Sequence, residues 1–119
     1  MEPRPATPVD LTQLADVGDP EFVREMVDLF IETASASLVV IHSAVDRADA
    51  GGLSRAAHSL KGASLGMAAH AMTAIAAELE AAGRGEQLEG AAGLLAQLDA
   101  AFAVAKSYLH EAAHLPAAG

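Results

Sequence analysis

The chain has 119 residues, 52% hydrophobic but only 3% aromatic, with no cysteine, and its seven basic and sixteen acidic residues give a formal net charge of -9. That length fits one domain, and an apolar content dominated by Ala favours helices packed through aliphatic side chains and close Ala faces. The acidic balance, with no basic cluster against it, argues against nucleic acid and against an anionic membrane surface as partners, and the lack of cysteine excludes disulfides and thiolate metal sites.

The first residues, Met1-Glu2-Pro3-Arg4-Pro5, lack the basic-then-apolar layout of a signal peptide, and no uninterrupted apolar run is long enough to span a bilayer. A cytoplasmic location is therefore expected. Residues 1–9 read as a flexible lead-in. Asp10 is expected to cap a short extra helix over Leu11 to Ala15, with Gln13 completing a capping box and Gly18 ending it. Asp19-Pro20-Glu21 is a helix start: a capping acid, proline at the first helical position, then an acid in the first turn. Phe22, Met26, Leu29, Phe30, Thr33, Ser37, Val40, Ile41 and Val45 recur at spacings of three and four, predicting one long amphipathic helix that ends near Ala48.

Gly51-Gly52 is expected to break the chain before a second helix from Leu53 to Leu65, with Leu53, Ala56, Ala57, Leu60 and Ser64 inward and Met67 continuing the stripe. Gly66 is expected to supply the next turn. A third helix turns Met72, Ile75, Ala76 and Leu79 inward and ends at Gly83. The fourth is expected to begin at Gly85 and Glu86, with Leu88, Ala91, Leu95, Leu98, Phe102, Ala105 and Leu109 as its stripe. Residues 113–119, around Pro116, read as a flexible tail. Four amphipathic helices joined by short links predict an all-α, antiparallel up-down four-helix bundle over residues 10–112. The starting Met1 and the loose ends are read as those of a free-standing protein, which is expected to be a monomer.

At about 100° per residue, His58 lies roughly 160° around its helix from Leu60, the middle of the apolar stripe, so it should face solvent. Ser54, Arg55, Lys61, Gly62 and Leu65 share its side. An exposed imidazole is a nucleophile with a neutral fraction always present near neutral pH. Lys61 adds a mobile positive charge one turn on. Gly62 costs a helix about 0.5–1 kcal/mol relative to Ala, so its presence here asks for a reason, such as close approach of a partner. The other histidines, His42, His70, His110 and His114, read as solvated surface residues. A metal-binding bundle would pair Glu-x-x-His motifs on facing helices. No such pairing is expected, and neither is a metal site.

The segment His58-Ser59-Leu60-Lys61-Gly62, followed by Ala63-Ser64, resembles the signature of histidine-containing phosphotransfer (HPt) domains and of the related phosphorylated domain of chemotaxis kinases. Gly18-Asp19-Pro20-Glu21-Phe22-Val23 with Met26, Leu29 and Phe30 resembles the family's opening helix, and Met67-Ala68-Ala69 with Met72, Ile75 and Leu79-Glu80 resembles the segment after its histidine. The likeness runs from about Leu11 to Gly83. Two positions depart from it: the family usually has Gly where Ala68 stands, so that Gly66 is expected to have taken over the turn, and Ala63 replaces a common Ser or Gly.

The resemblance implies that His58 accepts a phosphoryl group from a receiver-domain aspartate or from a hybrid or histidine kinase and passes it to another receiver. Lys61 would help hold phosphate oxygens, Gly62 would give the partner clearance, and the residue at Glu80 would hydrogen-bond the histidine ring. Spacing agrees with this last role: in a hairpin turning at Ala69, His58 and Glu80 are equidistant from the turn and come level. Ser54, Arg55 and Leu65 would belong to the docking surface. Such a protein needs no cofactor of its own; Mg2+ would sit in the receiver, and the chain would be a phosphocarrier rather than a stand-alone enzyme. The rival is a helical adaptor that binds receivers or kinases without being phosphorylated.

Overall fold

The computed structural model describes residues 19–114, which form four helices: α1 (Pro20–Asp46), α2 (Ala50–Gly66), α3 (His70–Arg84) and α4 (Ala91–His114). The short helix expected over Leu11 to Ala15 lies outside the described residues, as do 115–119. Each helix packs against its two neighbours in a closed ring, most extensively α2 against α3, which gives the antiparallel four-helix bundle.

Asp19 caps α1 as its position demands: the carboxylate accepts a hydrogen bond from the Phe22 amide at 2.8 Å, ahead of Pro20 and the first-turn Glu21. The core stripe of α1 is Val27, Phe30, Ala34, Leu38, Ile41 and Ala44. This is rotated from the expected stripe, of which only Phe30 and Ile41 are buried; Phe22, Leu29 and Val40 are exposed. The helix carries apolar residues around more than half of its circumference, so its pattern does not fix its rotation. Ala34 and Ala44 do, because small residues let the neighbouring helices approach. By length and composition alone α1 would be able to cross a bilayer, although no single run of it is uninterrupted; here its Val27, Leu38 and Ile41 are buried in the bundle. The stripes of the other helices lie where their spacing puts them: Leu53, Ala57, Leu60 and Ser64; Met72, Ala76 and Leu79; and Ala91, Leu95, Leu98, Phe102, Ala105 and Leu109 are all buried.

The turns differ from expectation in one consistent way. Gly51 and Gly52 do not break the chain but lie in the first turn of α2, which is capped by Asp49 accepting from the Gly52 amide at 3.0 Å. Gly66 is the last residue of α2, and Gly85 is the C-cap of α3. The left-handed positions that close α1, α2 and α3 are taken instead by Ala48 (φ 53°), Ala68 (φ 54°) and Glu86 (φ 54°). In each case the amide two residues beyond the cap returns to a carbonyl inside the last turn: Asp49 to Ala44 at 2.8 Å, Ala69 to Ser64 at 2.8 Å, and Gln87 to Ala82 at 3.0 Å. These are Schellman closures, and their hydrogen bonds hold side-chain-bearing residues in a conformation usually left to Gly. Since residues 85–90 form this closure and the link beyond it, α4 begins at Ala91 rather than at Gly85–Glu86.

One glycine is fixed by packing. Gly83 is buried, and a Cβ there would lie 2.7 Å from both the Ala50 carbonyl oxygen and the Ser54 amide nitrogen, so the end of α3 rests directly on the backbone of the start of α2. Ala68, by contrast, carries a steric cost that Gly would relieve. Replacement Ala68→Gly is expected to raise stability by about 1 kcal/mol, the left-handed penalty less the added unfolded-chain entropy, seen as a higher thermal midpoint at unchanged helix content.

Candidate functional site

The tight Met67-Ala68-Ala69 turn sets α2 and α3 in register, with His58 and Glu80 level. A polar contact below the site holds that register. Ser64, fully buried in the α2 stripe, donates to the Leu60 carbonyl at 2.8 Å and accepts from Thr73 Oγ1 of α3 at 3.0 Å, so its hydroxyl is satisfied inside the core.

Glu80 is the centre of the site. Its side chain is only 5% exposed, yet three groups converge on the carboxylate. Oε1 accepts from Lys61 Nζ at 2.6 Å, while Oε2 accepts from His58 Nδ1 at 2.8 Å and from Arg84 Nη2 at 3.0 Å. The Lys61 hydrogen bond is the largest cause that holds the Glu80 carboxyl below its ordinary value; the His58 bond and the charges of Arg84 and Lys61 add to it and outweigh burial, which acts the other way. Glu80 is therefore a carboxylate, and a carboxylate only accepts, so the proton between it and His58 belongs to Nδ1. Nε2 is then the ring nitrogen with a free lone pair. The ring is 65% exposed, and Nε2 has no partner among the described residues.

Around the ring the surface is open. Ser54, Arg55, His58, Ser59, Glu80 and Arg84 line a shallow groove of about 390 Å3. Gly62 is exposed, and a Cβ there would meet nothing within 4 Å, so no packing within the chain requires glycine at this position. Of the residues singled out in the sequence, His58, Lys61 and Glu80 are thus in direct contact, and Ser54 and Arg55 border the same groove. Leu65 does not border it. It is 60% exposed, and its neighbours Ala63, Gly66 and Met67 line a separate apolar groove with Met26, Leu29 and Phe30 of α1.

Arg84 was not among the expected site residues. Its signal was present in the sequence, since Glu80 and Arg84 stand at i and i+4 on one helix, the spacing of an ion pair. One further expectation needs correction. His42 is not merely solvated: it pairs with Asp99 at 3.0 Å and ties α1 to α4. One Glu-x-x-His spacing does occur, Glu111 to His114, but it has no counterpart on a facing helix. Among the described residues no three His, Asp or Glu side chains are grouped to hold a metal ion.

A four-helix bundle presenting an exposed histidine, its Nδ1 held by a buried acid and a lysine one turn on, is the arrangement of a histidine phosphotransfer module. Residues 25–108 match the Hpt domain family, and the chain belongs to it. The crystal structure of histidine-containing phosphotransfer protein B (HptB) from Pseudomonas aeruginosa PAO1 is similar over 92% of this chain and 96% of its own, with a TM-score of 0.86 at 28% sequence identity. No curated protein matches the chain. The protein is a histidine phosphotransfer protein of a phosphorelay, and its family consists of phosphocarriers that work with receiver domains and kinases.

The depressed Glu80 carboxyl has a consequence for stability. A carboxyl whose folded value lies below its unfolded one stabilises the fold above the unfolded value and loses that contribution as pH falls through the folded one. The difference in stability between the native chain and Glu80→Gln should therefore be constant above about pH 5.5 and shrink below the ordinary value of 4.5, as followed by denaturant unfolding at stepped pH.

Proposed function

We propose that His58 is the phosphate carrier and that Nε2 is the atom that bears the phosphoryl group, shuttled between receiver-domain aspartates and a hybrid or histidine kinase. The observation that carries this reading is the 2.8 Å bond from Nδ1 to Glu80, which leaves Nε2 as the nucleophile on an open face. Lys61, 34% exposed beside the ring, is the cation that turns to the phosphoryl oxygens, and Gly62 leaves room for the incoming domain. Ser54 and Arg55 belong to the landing surface through the His58 groove, and Leu65 extends it as an exposed apolar contact.

The chemistry is half of a site. An exposed Lys–phosphate pair contributes at most about 1 kcal/mol in water. An enzyme of ordinary power lowers its barrier by roughly 8 kcal/mol or more. The balance comes from the partner: a receiver brings the phosphorylated aspartate, its acidic pocket and Mg2+, and docking excludes water so that each charge interaction strengthens. The complex is transient, the chain acts as a cytoplasmic monomer, and neither nucleic acid nor a membrane takes part.

Replacement His58→Gln is expected to abolish acceptance of acid-labile, base-stable label from a phosphorylated receiver while leaving the helical circular dichroism unchanged. Label retained by that variant would end the assignment to His58, whereas a native chain that takes no label would favour an unphosphorylated adaptor. Lys61→Ala should fold and still be labelled, but transfer about tenfold more slowly, equivalent to about 1.4 kcal/mol of lost transition-state stabilisation. Equal rates in rapid-quench measurements would remove Lys61 from the mechanism.

A further inference from the structure

We propose that Arg84 is a positioning residue for phosphotransfer: it keeps Glu80 charged and turned toward His58 when Lys61 leaves the carboxylate to meet the phosphoryl group. This rests on the reading of His58 as the carrier.

The two cations divide the carboxylate between them. Lys61 holds Oε1, and Arg84 holds Oε2, the oxygen that also receives the Nδ1 proton of His58. The transfer step sets them different tasks. The Nε2 lone pair forms the P–N bond as the P–O bond to the partner's aspartate breaks, and the departing electron pair stays on that aspartate as carboxylate. Nδ1 keeps its proton, so the phosphorylated ring becomes cationic and faces Glu80. For Lys61 to reach a phosphoryl oxygen it must give up Oε1. Glu80 would then be a nearly buried carboxylate with one neutral donor, were it not for Arg84. With Arg84 in place the carboxylate stays ionised, Nδ1 stays protonated and Nε2 stays available. When the ring becomes cationic the same carboxylate balances it.

Three features favour a functional reading of Arg84 over a structural one. Its side chain is 69% exposed against 5% for Glu80, so it reaches the carboxylate from the solvent side and fills no space in the core. It borders the His58 groove with Ser54, Arg55 and Ser59. Of only seven basic residues in a chain with a net charge of -9, Arg55 and Arg84 line this groove and Lys61 holds the Glu80 carboxylate that borders it. Its place is also fixed from below: the preceding residue, Gly83, seats the last turn of α3 on the backbone of α2, so Arg84 extends from a fixed base one turn beyond Glu80. The charged groups facing the pair are Arg55 and Lys61 from α2 and Arg84 from α3.

The test compares the full chain with Arg84→Met and Arg84→Lys. In the free protein, 15N NMR should show His58 as the Nδ1–H tautomer in the native chain and in Arg84→Met, where Lys61 still holds the carboxylate, and a mixture once Arg84→Met is combined with Lys61→Ala. The carboxyl 13C titration of Glu80 should move to higher pH in Arg84→Met. Transfer from a phosphorylated receiver should slow about fivefold near neutral pH, and Arg84→Lys should recover most of the rate. Combined with Lys61→Ala, the Arg84→Met loss should be at least as large as it is alone, because Glu80 is then left with no cation. A native tautomer in the double variant, with an unmoved Glu80 titration and an unchanged rate in Arg84→Met, would overturn the proposal while leaving His58 as the carrier. Failure of the native chain to take label would instead overturn the carrier reading, and the two NMR measurements would still decide whether Arg84 governs Glu80.

Discussion

A single buried carboxylate organises this protein. Burying an ionised group is costly unless it is paired and hydrogen-bonded, and breaking such a pairing leaves an uncompensated charge. Glu80 meets that requirement with donors from both sides of the α2–α3 interface: His58 and Lys61 from one helix, Arg84 from its own. The apolar stripes press the two helices together, but aliphatic contacts are tolerant of small slips along an axis. The hydrogen bonds to Glu80 are not, and together with the Ser64–Thr73 contact they fix the level at which the exposed imidazole stands.

The same arrangement explains how a surface histidine in an acidic protein becomes a specific nucleophile. Orientation comes from beneath the ring, where water is excluded, and reactivity is displayed above it, where a second protein has access. The interior of the bundle contributes rigidity and a charge; the outer face contributes one nitrogen with a free lone pair. A carrier needs this separation, because a fully enclosed histidine would not meet successive partners.

Much of this was legible in the sequence, and the failures have physical causes. The stripes of α2, α3 and α4 could be read because each has one clear apolar line, from Leu53 to Ser64, Met72 to Leu79 and Ala91 to Leu109. Likewise the level pairing of His58 with Glu80 follows from counting residues about a tight turn. The rotation of α1 was not legible, since Leu29 and Val40 are as apolar as Val27 and Leu38, and only the shape of the neighbouring helices chooses between them. The turns were misassigned because glycine is the usual left-handed residue, whereas here Ala48, Ala68 and Glu86 are forced into that conformation by backbone hydrogen bonds. Arg84 was passed over because an i,i+4 pair on a helix surface is ordinary. Only the structure shows that Arg84 reaches the same carboxylate oxygen that receives the His58 proton.

The three-residue link between α2 and α3 has a bearing on which changes of length the chain can absorb. One residue added between His58 and Glu80 would turn the far side of the hairpin by about 100° and shift it by about 1.5 Å along the axis, carrying the carboxylate away from the imidazole. The six residues from Gly85 to Gly90 have no such duty, since α4 contributes nothing to the His58 groove. Insertions, epitope tags and fluorophore attachment sites therefore belong in the α3–α4 link, while the hairpin that looks like a simple loop acts as a fixed-length spacer.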